Sequence, residues 1–397
     1  MTLDTATASA FSATPETRLR TSAADTLAAP FVPQPQTAEE TGLDFSMILD
    51  LVVKAIYFGG RPSARQIAAQ LALAFPVIDE VMSFLKREQM AEVVGSAGMG
   101  EQLYQYSLSS RGIEKAEEAL GRNHYIGPAP VPFEVYLDVL RRQSIRSMRL
   151  TPEVVEGAIS HLVIRDTVAS ALGPAVNSGK SMLIYGGSGN GKSTITGAIG
   201  RMMPGEVLIP YAIEVMGQIV HLYDRSKHIA TDDAADGPGD DILRSRPDRR
   251  WVRIKRPVVW AGGELTRHSL ELVYDDETKV YEAPLQLKAN GGTLIIDDFG
   301  RQQMPAVQLL NRWIVALEGG IDHLTLHTGQ TIEVPFDVLV LFSTNLQPER
   351  LADEAFLRRI RYKVEIPNPT REEYAEIFRR TCEVAGLTPS ADVLGHL

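Results

Sequence analysis

The chain has a single cysteine, Cys382, among its 397 residues, and it carries neither a long apolar run nor an excess of positive charge. One cysteine excludes an internal disulfide and a metal site built from cysteines. No apolar stretch approaches the length of a membrane span, and the N-terminus lacks a basic patch followed by an apolar segment. The net charge of −10 argues against broad attraction to nucleic acid or anionic membranes. A cytoplasmic location is the default expectation.

Composition and periodicity divide the chain into segments of different character. Hydrophobic residues make up 44% of the chain and charged residues 23%, which is ordinary for globular domains. The predicted segments are a disordered tail at 1–40, an α+β module at 41–122, a proline-rich linker and helix at 123–150, an α/β core at 151–366 and a C-terminal helical segment at 367–397.

The module at 41–122 reads as three helices, a β-hairpin and a closing helix. Ser63 is a suitable N-cap for the second helix, and Pro76 can open the third. Alternating residues at 91–94 and 102–108 predict the hairpin, and a helix is expected over 110–120. This order of elements resembles a winged helix, a common DNA-binding unit.

The third helix of this module is acidic, which favours protein contact over DNA contact. Three carboxylates stand against two cations there: Asp79, Glu80 and Glu88 against Lys86 and Arg87. A helix that reads a DNA groove presents more cationic or amide side chains to phosphates and bases. We therefore expect the module to recruit a client protein, with nucleic acid as the disfavoured partner.

A phosphate-binding pattern G-x-x-x-x-G-K-S stands between a predicted buried strand at 181–185 and a predicted helix from 194 onward. Such a strand–loop–helix turn points backbone N–H groups and a helix N-terminus at an anion. Lys192 adds a charge for the β- and γ-phosphates, and the Ser193 hydroxyl is a ligand for Mg²⁺. The predicted nucleotide-binding residues are Gly186, Gly187, Ser188, Gly189, Asn190, Gly191, Lys192, Ser193 and Thr194.

Two later strands are predicted to supply the remaining catalytic groups. The apolar strand at 293–296 ends in Asp297, a candidate Mg²⁺ ligand, and Asp298, a candidate to polarise the attacking water. The strand at 336–344 ends in Asn345, whose amide can donate to the γ-phosphate or the water without adding negative charge. The carboxyl ends of parallel strands are where open α/β sheets bind ligands.

Paired arginines follow, Arg358 and Arg359, near a predicted helix end. An arginine offered to the γ-phosphate of a neighbouring subunit is worth about 10³–10⁵ in rate where it is used. The ordinary alternative is a surface salt-bridge pair.

These motifs, in this order, resemble the AAA+ ATPases over residues 151–369. The resemblance identifies Walker A at 186–193, Walker B at 293–298, sensor 1 at Asn345 and an arginine finger at Arg358 or Arg359. Within that family, the stretch 289–297 is similar to the MoxR, magnesium-chelatase and enhancer-binding-activator branch. The resemblance implies an α/β fold with a three-layer α/β/α core, a homo-oligomeric ring expected to be hexameric, and ATP hydrolysis between subunits with Mg²⁺.

Members of this branch carry a β-hairpin before sensor 1, and residues 323–334 alternate around a turn that could supply it. A second hairpin is predicted at 212–222, with its turn at Met216 and Gly217. Residues 161–164 resemble the segment that lines the adenine pocket in this group. The guanine-reading signature [NT]-K-x-D is absent, which favours ATP over GTP. The histidines show no trusted metal-ligand spacing.

Two departures from the family pattern leave alternatives open. Walker B usually ends in Asp-Glu, whereas this chain has Asp297 and Asp298, and aspartate is one methylene shorter. The lid expected after the core is short: its first helix fits 370–385, and no sensor 2 arginine is recognisable. The leading hypothesis is an ATPase that remodels or regulates a client. The alternatives are an ATP-controlled binding or assembly switch with little turnover, and a DNA-associated regulator.

Overall fold

The computed structural model describes residues 29–231, 246–351 and 357–387. The predicted tail therefore lies outside the described residues up to position 28, as do residues 352–356, which precede the paired arginines, and residues 388–397 of the predicted lid. Across the described ranges, no helix is both long and apolar enough to cross a membrane.

The N-terminal unit contains the predicted helices and hairpin around one apolar core. Its elements are α1 (Phe45–Gly59), α2 (Ala64–Gln70), α3 (Phe75–Arg87), β1 (Ala91–Ser96), β2 (Tyr104–Leu108) and α4 (Ser110–Arg122). Ser63 caps α2 in a capping box with Gln66, and Pro76 lies in the first turn of α3, as predicted. The antiparallel pairing of β1 and β2 confirms the predicted hairpin. The winged-helix character of the unit stays a prediction.

The proline-rich segment after α4 does more than connect two domains. It contains β3 (Val131–Pro132), which pairs with a strand of a later sheet, and α5 (Phe133–Arg142). The sequence predicted a helix over 133–148, but α5 ends at Arg142. The reason is a set of contacts with distant residues: the Gln143 side chain hydrogen-bonds the backbone of Leu208 at 2.8 and 2.9 Å, and Ser144 donates to the Asp337 carboxylate at 2.9 Å. These tertiary bonds hold the chain in a different path.

The rest of the chain forms the core, an inserted sheet and a C-terminal helix. Its elements are α6 (Pro152–Ile159), α7 (Asp166–Asn177), β4 (Met182–Gly186), α8 (Lys192–Gly200), β5 (Glu206–Pro210), β6 (Ala212–Val215), β7 (Gln218–His221), β8 (Trp251–Lys255), β9 (Val258–Ala261), β10 (Val273–Asp275), β11 (Val280–Glu282), α9 (Leu285–Lys288), β12 (Gly292–Ile296), α10 (Ala306–Arg312), α11 (Ile314–Gly319), β13 (Ile321–Thr325), β14 (Thr331–Pro335), β15 (Val338–Thr344), β16 (Tyr362–Ile366) and α12 (Arg371–Val384).

The core is a parallel sheet with the strand order β16-β4-β15-β12-β9. Because successive side chains of a strand face opposite sides, both faces are apolar and both are covered. On β12, Leu294 and Ile296 pack with residues of α10 and α11, whereas Ile295 packs with residues of α6, α7 and α8. The predicted three-layer α/β/α fold is confirmed.

The inserted sheet has the strand order β10-β11-β7-β6-β3, and it joins the N-terminal unit to the core. The predicted hairpin at 212–222 is confirmed as β6 and β7, with positive φ angles at Met216 (51°) and Gly217 (77°), as its two-residue turn requires. Ala212, Ile219 and Val280 of this sheet belong to the apolar core of the N-terminal unit. The two parts are therefore packed together as well as linked by the chain.

Candidate nucleotide site

The phosphate loop runs from Gly186, at the end of β4, to Lys192, at the start of α8. Gly186 has φ +150°, and a Cβ there would lie 2.1 Å from the backbone oxygen of Ile366. Gly189 and Gly191 also have positive φ, at 83° and 75°. Glycine is needed at these positions because other residues adopt such angles only at a cost. Gly187, Ser188 and Gly189 are exposed, as are Ser193 and Thr194 in the first turn of α8.

Lys192 is 7% exposed and turns back over the loop. Its ammonium donates to the Gly187 oxygen at 2.7 Å and to Oδ1 of Asn345. Burial lowers the pKa of Lys192, while the nearby charges of Asp297 and Asp298 act in the opposite direction. The predicted lysine, amide and carboxylates therefore lie close together, although up to 153 positions separate them in the chain.

Asp297 and Asp298 lie directly after β12 and are held against the neighbouring strands. The N–H of Asp297 donates to Ala261 at the end of β9 at 2.8 Å. The turn that follows is tied to β15, because Phe299 N–H donates to Ser343 and its oxygen accepts from the Thr344 hydroxyl, both at 2.7 Å. Asp297 is half-buried and Asp298 is exposed. Asp298 has φ +49°, an angle that aspartate tolerates better than most residues.

Asn345 follows β15, whose Thr344 pairs in register with Tyr185 of β4. The amide therefore stands beside the first glycine of the phosphate loop. Its oxygen accepts from Lys192. Its nitrogen is the group that would donate to a phosphate or to a water molecule.

Arg358 and Arg359 precede β16 and lie at the opposite edge of the sheet. Tyr362 at the start of β16 pairs with Met182, whereas Ile366 at its end pairs with Gly186. The oxygen of Arg359 accepts from the hydroxyl of Ser181, which precedes β4. Five residues of extended chain separate that point from Gly186, or about 16 Å. Neither arginine is positioned beside the phosphate loop of its own chain.

The two arginines differ in their surroundings. The Nε of Arg359 forms an ion pair with Oε1 of Glu318 on α11 at 2.8 Å. Arg358 is exposed, whereas Arg359 is half-buried. This pair is partly exposed, and ion pairs near the surface contribute little to stability. Both arginines therefore retain some exposure at the end of the sheet away from the phosphate loop.

The predicted Mg²⁺ ligands are Ser193 and Asp297, and their chemistry fits this ion. Mg²⁺ is usually held by one or two carboxylates together with substrate phosphates and water, and it prefers oxygen ligands. Asp297, like Asp298, interacts with the charge of Lys192, and Ser193 directly follows that lysine in the chain. Within the described ranges, no group of three or more His, Cys, Asp or Glu side chains could hold a metal without such a substrate.

The segment predicted to line an adenine pocket borders a cavity of about 720 Å³ between α6 and α7. Leu162 and Ile164 contribute to its wall together with Val155 and Ile159. Apolar walls with a few polar groups are typical of small-molecule sites. His161 is exposed and does not line this cavity.

The hairpin predicted before Asn345 is confirmed as β13 and β14. Its tip contacts the inserted sheet through His327, whose ring stacks on Tyr274 with centroids 4.0 Å apart. The Tyr281 hydroxyl hydrogen-bonds Nδ1 of His327 and accepts from its backbone N–H at 3.0 Å. A histidine for which the sequence predicted no role thus joins the hairpin to the sheet that packs on the N-terminal unit.

Sequence reasoning missed a group of side chains behind the phosphate loop. Arg165 and Asn368 lie 203 positions apart, and the Arg165 guanidinium donates to the Asn368 oxygen at 2.9 Å. The one signal for Asn368 was its place between Pro367 and Pro369, a pattern typical of turns. Arg165 directly follows the predicted base-binding segment.

The sequence matches no protein-family model and none of the curated proteins. Solved structures similar to it include NtrX from Brucella abortus in complex with ADP, with 19% identity and a TM-score of 0.34 over 72% of this chain and 56% of that chain. A second NtrX structure from this organism has 16% identity and a TM-score of 0.33 over 72% of this chain and 53% of that chain.

A third similar structure is the complex between subunits BchI and BchD of magnesium chelatase, based on a cryo-EM reconstruction. It has 21% identity and a TM-score of 0.35 over 59% of this chain and 67% of that chain. This chain spans just over half the length of the NtrX chains.

Proposed function

We propose that this chain is a Mg²⁺-dependent ATPase of the AAA+ family that works as a ring-shaped homo-oligomer. The observation that carries the proposal is the convergence of Lys192, Asn345 and the two aspartates at the carboxyl edge of the parallel sheet. A phosphate-binding loop, a buried ammonium, carboxylates and an amide are the groups that phosphoryl transfer to water requires. A ligand at this edge is also expected from the general behaviour of open α/β sheets.

Each residue has a distinct role in the proposed reaction. The loop N–H groups and Lys192 bind the phosphates, and Ser193 and Asp297 would hold Mg²⁺, which neutralises phosphate charge when bound. Asp298 is exposed beside the site and accepts a proton from the attacking water, or does so through a second water molecule. Asn345 uses its amide nitrogen to orient that water or the γ-phosphate.

The Asp298→Asn variant tests hydrolysis separately from binding. Asparagine tolerates the positive φ of this position as aspartate does, so the backbone is expected to stay in place. We expect ATP binding close to that of the parent and loss of steady-state phosphate release. Asp276→Asn, an exposed aspartate in the turn between β10 and β11, is the matched control. Unchanged hydrolysis in Asp298→Asn would remove this residue from the mechanism.

The proposed sharing of the active site between subunits rests on where the arginines lie. Because Arg358 and Arg359 are at the opposite edge of the sheet from the loop, they are suited to reach a neighbour's nucleotide. The inactive one of Arg358→Ala and Arg359→Ala is mixed with Lys192→Ala. At some interfaces of the mixed rings, the arginine variant supplies an intact Lys192 and the Lys192→Ala subunit supplies the intact arginine. The mixture should therefore hydrolyse ATP faster than either variant alone.

The control for this mixing experiment is Arg361→Ala, an exposed arginine in the same segment. It should hydrolyse ATP as the parent does. If both finger variants turn over at the parental rate, the site is not shared. The particle mass of each sample, with and without nucleotide, tests the proposed ring and its number of subunits.

A client protein is the proposed partner of the N-terminal unit. Contacts between this unit and the inserted sheet support a fixed attachment, since the N–H of His124 donates to Thr278 at 2.8 Å and Lys279 donates to Gly121. The Glu80 carboxylate on α3 accepts from the N–H of Ala38 at 3.1 Å, and the Arg87 guanidinium lies over the Phe84 ring. Capture of partners by the hydrolysis-deficient Asp298→Asn ring is the experiment that identifies the client.

The competing function is an ATP-controlled assembly switch with little turnover. The short Asp298 side chain favours it, because water activation by aspartate would need a closer approach or a second water molecule. Phosphate release and ATP-dependent assembly, measured on the same sample, separate the two functions. Assembly without phosphate release supports the switch, and a salt-sensitive shift with duplex DNA would instead support a DNA-associated regulator.

A further inference from the structure

The side chain of Asn190 ties the phosphate loop to the turn that follows β16. Its amide nitrogen donates to the Ile366 oxygen and to Oδ1 of Asn368, both at 3.0 Å. Gly187 lies against the same group, since a Cβ there would be 2.9 Å from Oδ1 of Asn368. The loop therefore touches Asn368 at two of its residues.

Asn368 is in turn connected to the start of α12. Arg165 donates to the Asn368 oxygen and forms a bidentate ion pair with Glu373, with N–O distances of 2.8 and 3.1 Å. Glu373 also completes the capping box of α12 with Thr370. A bidentate arginine–carboxylate pair fixes direction as well as distance. A continuous set of polar contacts thus runs from the loop to the first turn of the helix.

Helix α12 is attached by polar contacts of this kind rather than by buried apolar side chains. None of its described residues is buried. Towards its other end, the Arg380 guanidinium donates to the oxygens of Ser160 and Leu162 at 3.0 and 3.2 Å. An element that buries little apolar surface detaches at a low free-energy cost. Helix α12 is therefore expected to detach readily when its polar contacts are lost.

We propose that Asn368 is a positioning residue that couples the occupancy of the phosphate loop to the attachment of α12. This inference rests on the proposed nucleotide binding at the loop. A bound phosphate restrains the loop and so holds the Asn190 amide on Asn368. The turn that contains Asn368 is then already ordered, so attachment of α12 costs less conformational entropy. Coupling is reciprocal, so breaking the link at Asn368 also weakens nucleotide binding.

The only cysteine of the chain, Cys382, lies on α12 and is half-buried, so the thiol reports the attachment of this helix without any added mutation. The rate of labelling by a thiol reagent is measured without nucleotide and with saturating Mg²⁺-ADP or Mg²⁺-ATP. We expect nucleotide to slow labelling of the parent protein by about fivefold or more. In Asn368→Ala and in Arg165→Ala, the nucleotide effect should fall below about twofold.

The matched control is Arg379→Ala, which removes an arginine of α12 that pairs with Glu376 and Glu383 of the same helix. It should retain the full nucleotide effect. Shielding of Cys382 by assembly would slow labelling in this control as well, so it cannot explain a difference between Arg379→Ala and Asn368→Ala. A full response in Asn368→Ala, or no response in a parent protein that binds nucleotide by calorimetry, would overturn the inference and leave the proposed function standing. Absence of nucleotide binding by the parent would reject the proposed function itself.

Discussion

Lys192 and Asn345, 153 positions apart in the chain, are joined by a hydrogen bond from the lysine ammonium to the amide oxygen. The bond exists because β15 is the neighbour of β4 in the sheet and ends at the same level. It connects the group proposed to bind phosphate to the group proposed to orient the water, and it leaves the amide nitrogen as a donor.

Removal of the Asn345 amide should impair turnover more than binding. We expect Asn345→Ala to reduce the hydrolysis rate about 10²-fold, the usual cost of losing one donor at a reacting group. ATP affinity should change little, since Lys192 and the loop remain. Hydrolysis rate and calorimetric affinity are compared with those of Asn311→Ala, an exposed asparagine on α10. Equal losses in binding and turnover would contradict the role assigned to Asn345.

As pH rises, nucleotide affinity should begin to fall at a lower pH than it would if Lys192 had the pKa of an ordinary lysine. Burial lowers the pKa of Lys192 from the usual 10.5, so the folded protein loses this positive charge while an unfolded chain still carries it. In the same interval, the contribution of Lys192 to the free energy of unfolding of the ligand-free protein rises with pH, because the unfolded state binds more protons.

Calorimetry across the alkaline range checks this pH dependence, with Lys192→Arg as the comparison. Arginine keeps its charge throughout, so its affinity relative to the neutral-pH value should stay flat. Parallel curves for the two proteins would show that Lys192 is not the group that titrates.

The first glycine of the loop should be the least replaceable residue in it. Gly186→Ala combines a positive φ with a contact of 2.1 Å to the Ile366 oxygen, so a loss of more than about 3 kcal/mol in unfolding free energy is expected. Gly189 also has a positive φ, but a Cβ there meets nothing within 4 Å, so Gly189→Ala should cost only about 1–2 kcal/mol. Denaturant unfolding measures both, and equal losses would contradict the contact argument.

The hairpin before Asn345 should loosen when His327 is removed. Stacking on Tyr274 is worth about 0.5–1.5 kcal/mol, so His327→Ala should raise hydrogen exchange in β13 and β14 by up to about tenfold. ATP affinity should not change, because the hairpin lies outside the phosphate loop. His323→Ala on the same hairpin, where His323 lies 4.0 Å from Glu333, is the control. Equal exchange in both variants would show that His327 does not hold the hairpin to the inserted sheet.

The parts of the site that the sequence predicted share one property: each lies at the end of a strand, and the residues next to it in the sequence are sufficient to predict it. The glycine pattern before Lys192, the paired aspartates after β12 and Asn345 after β15 are of this kind, and their assembly follows from parallel pairing. The confirmed hairpins also carry local signals, such as Gly217 in the turn between β6 and β7.

The parts that could not be predicted depend on contacts between distant residues. The early end of α5 results from bonds to Leu208 and Asp337, which sequence periodicity does not reveal. The contacts of Asn368 with Asn190 and Arg165 likewise span 178 and 203 positions. A single polar residue in a turn is common for local reasons, so its presence in the sequence does not indicate a distant hydrogen-bond partner. Such partners are identified only from the tertiary structure.

Calorimetric titration of Mg²⁺-ATP into the parent protein and into Lys192→Ala decides whether the loop at 186–193 binds nucleotide. We expect uptake at one site per chain by the parent and none by the variant, with both proteins folded by circular dichroism. Absence of uptake by the parent, or equal uptake by both proteins, would contradict the assignment of the loop at 186–193 as a nucleotide site.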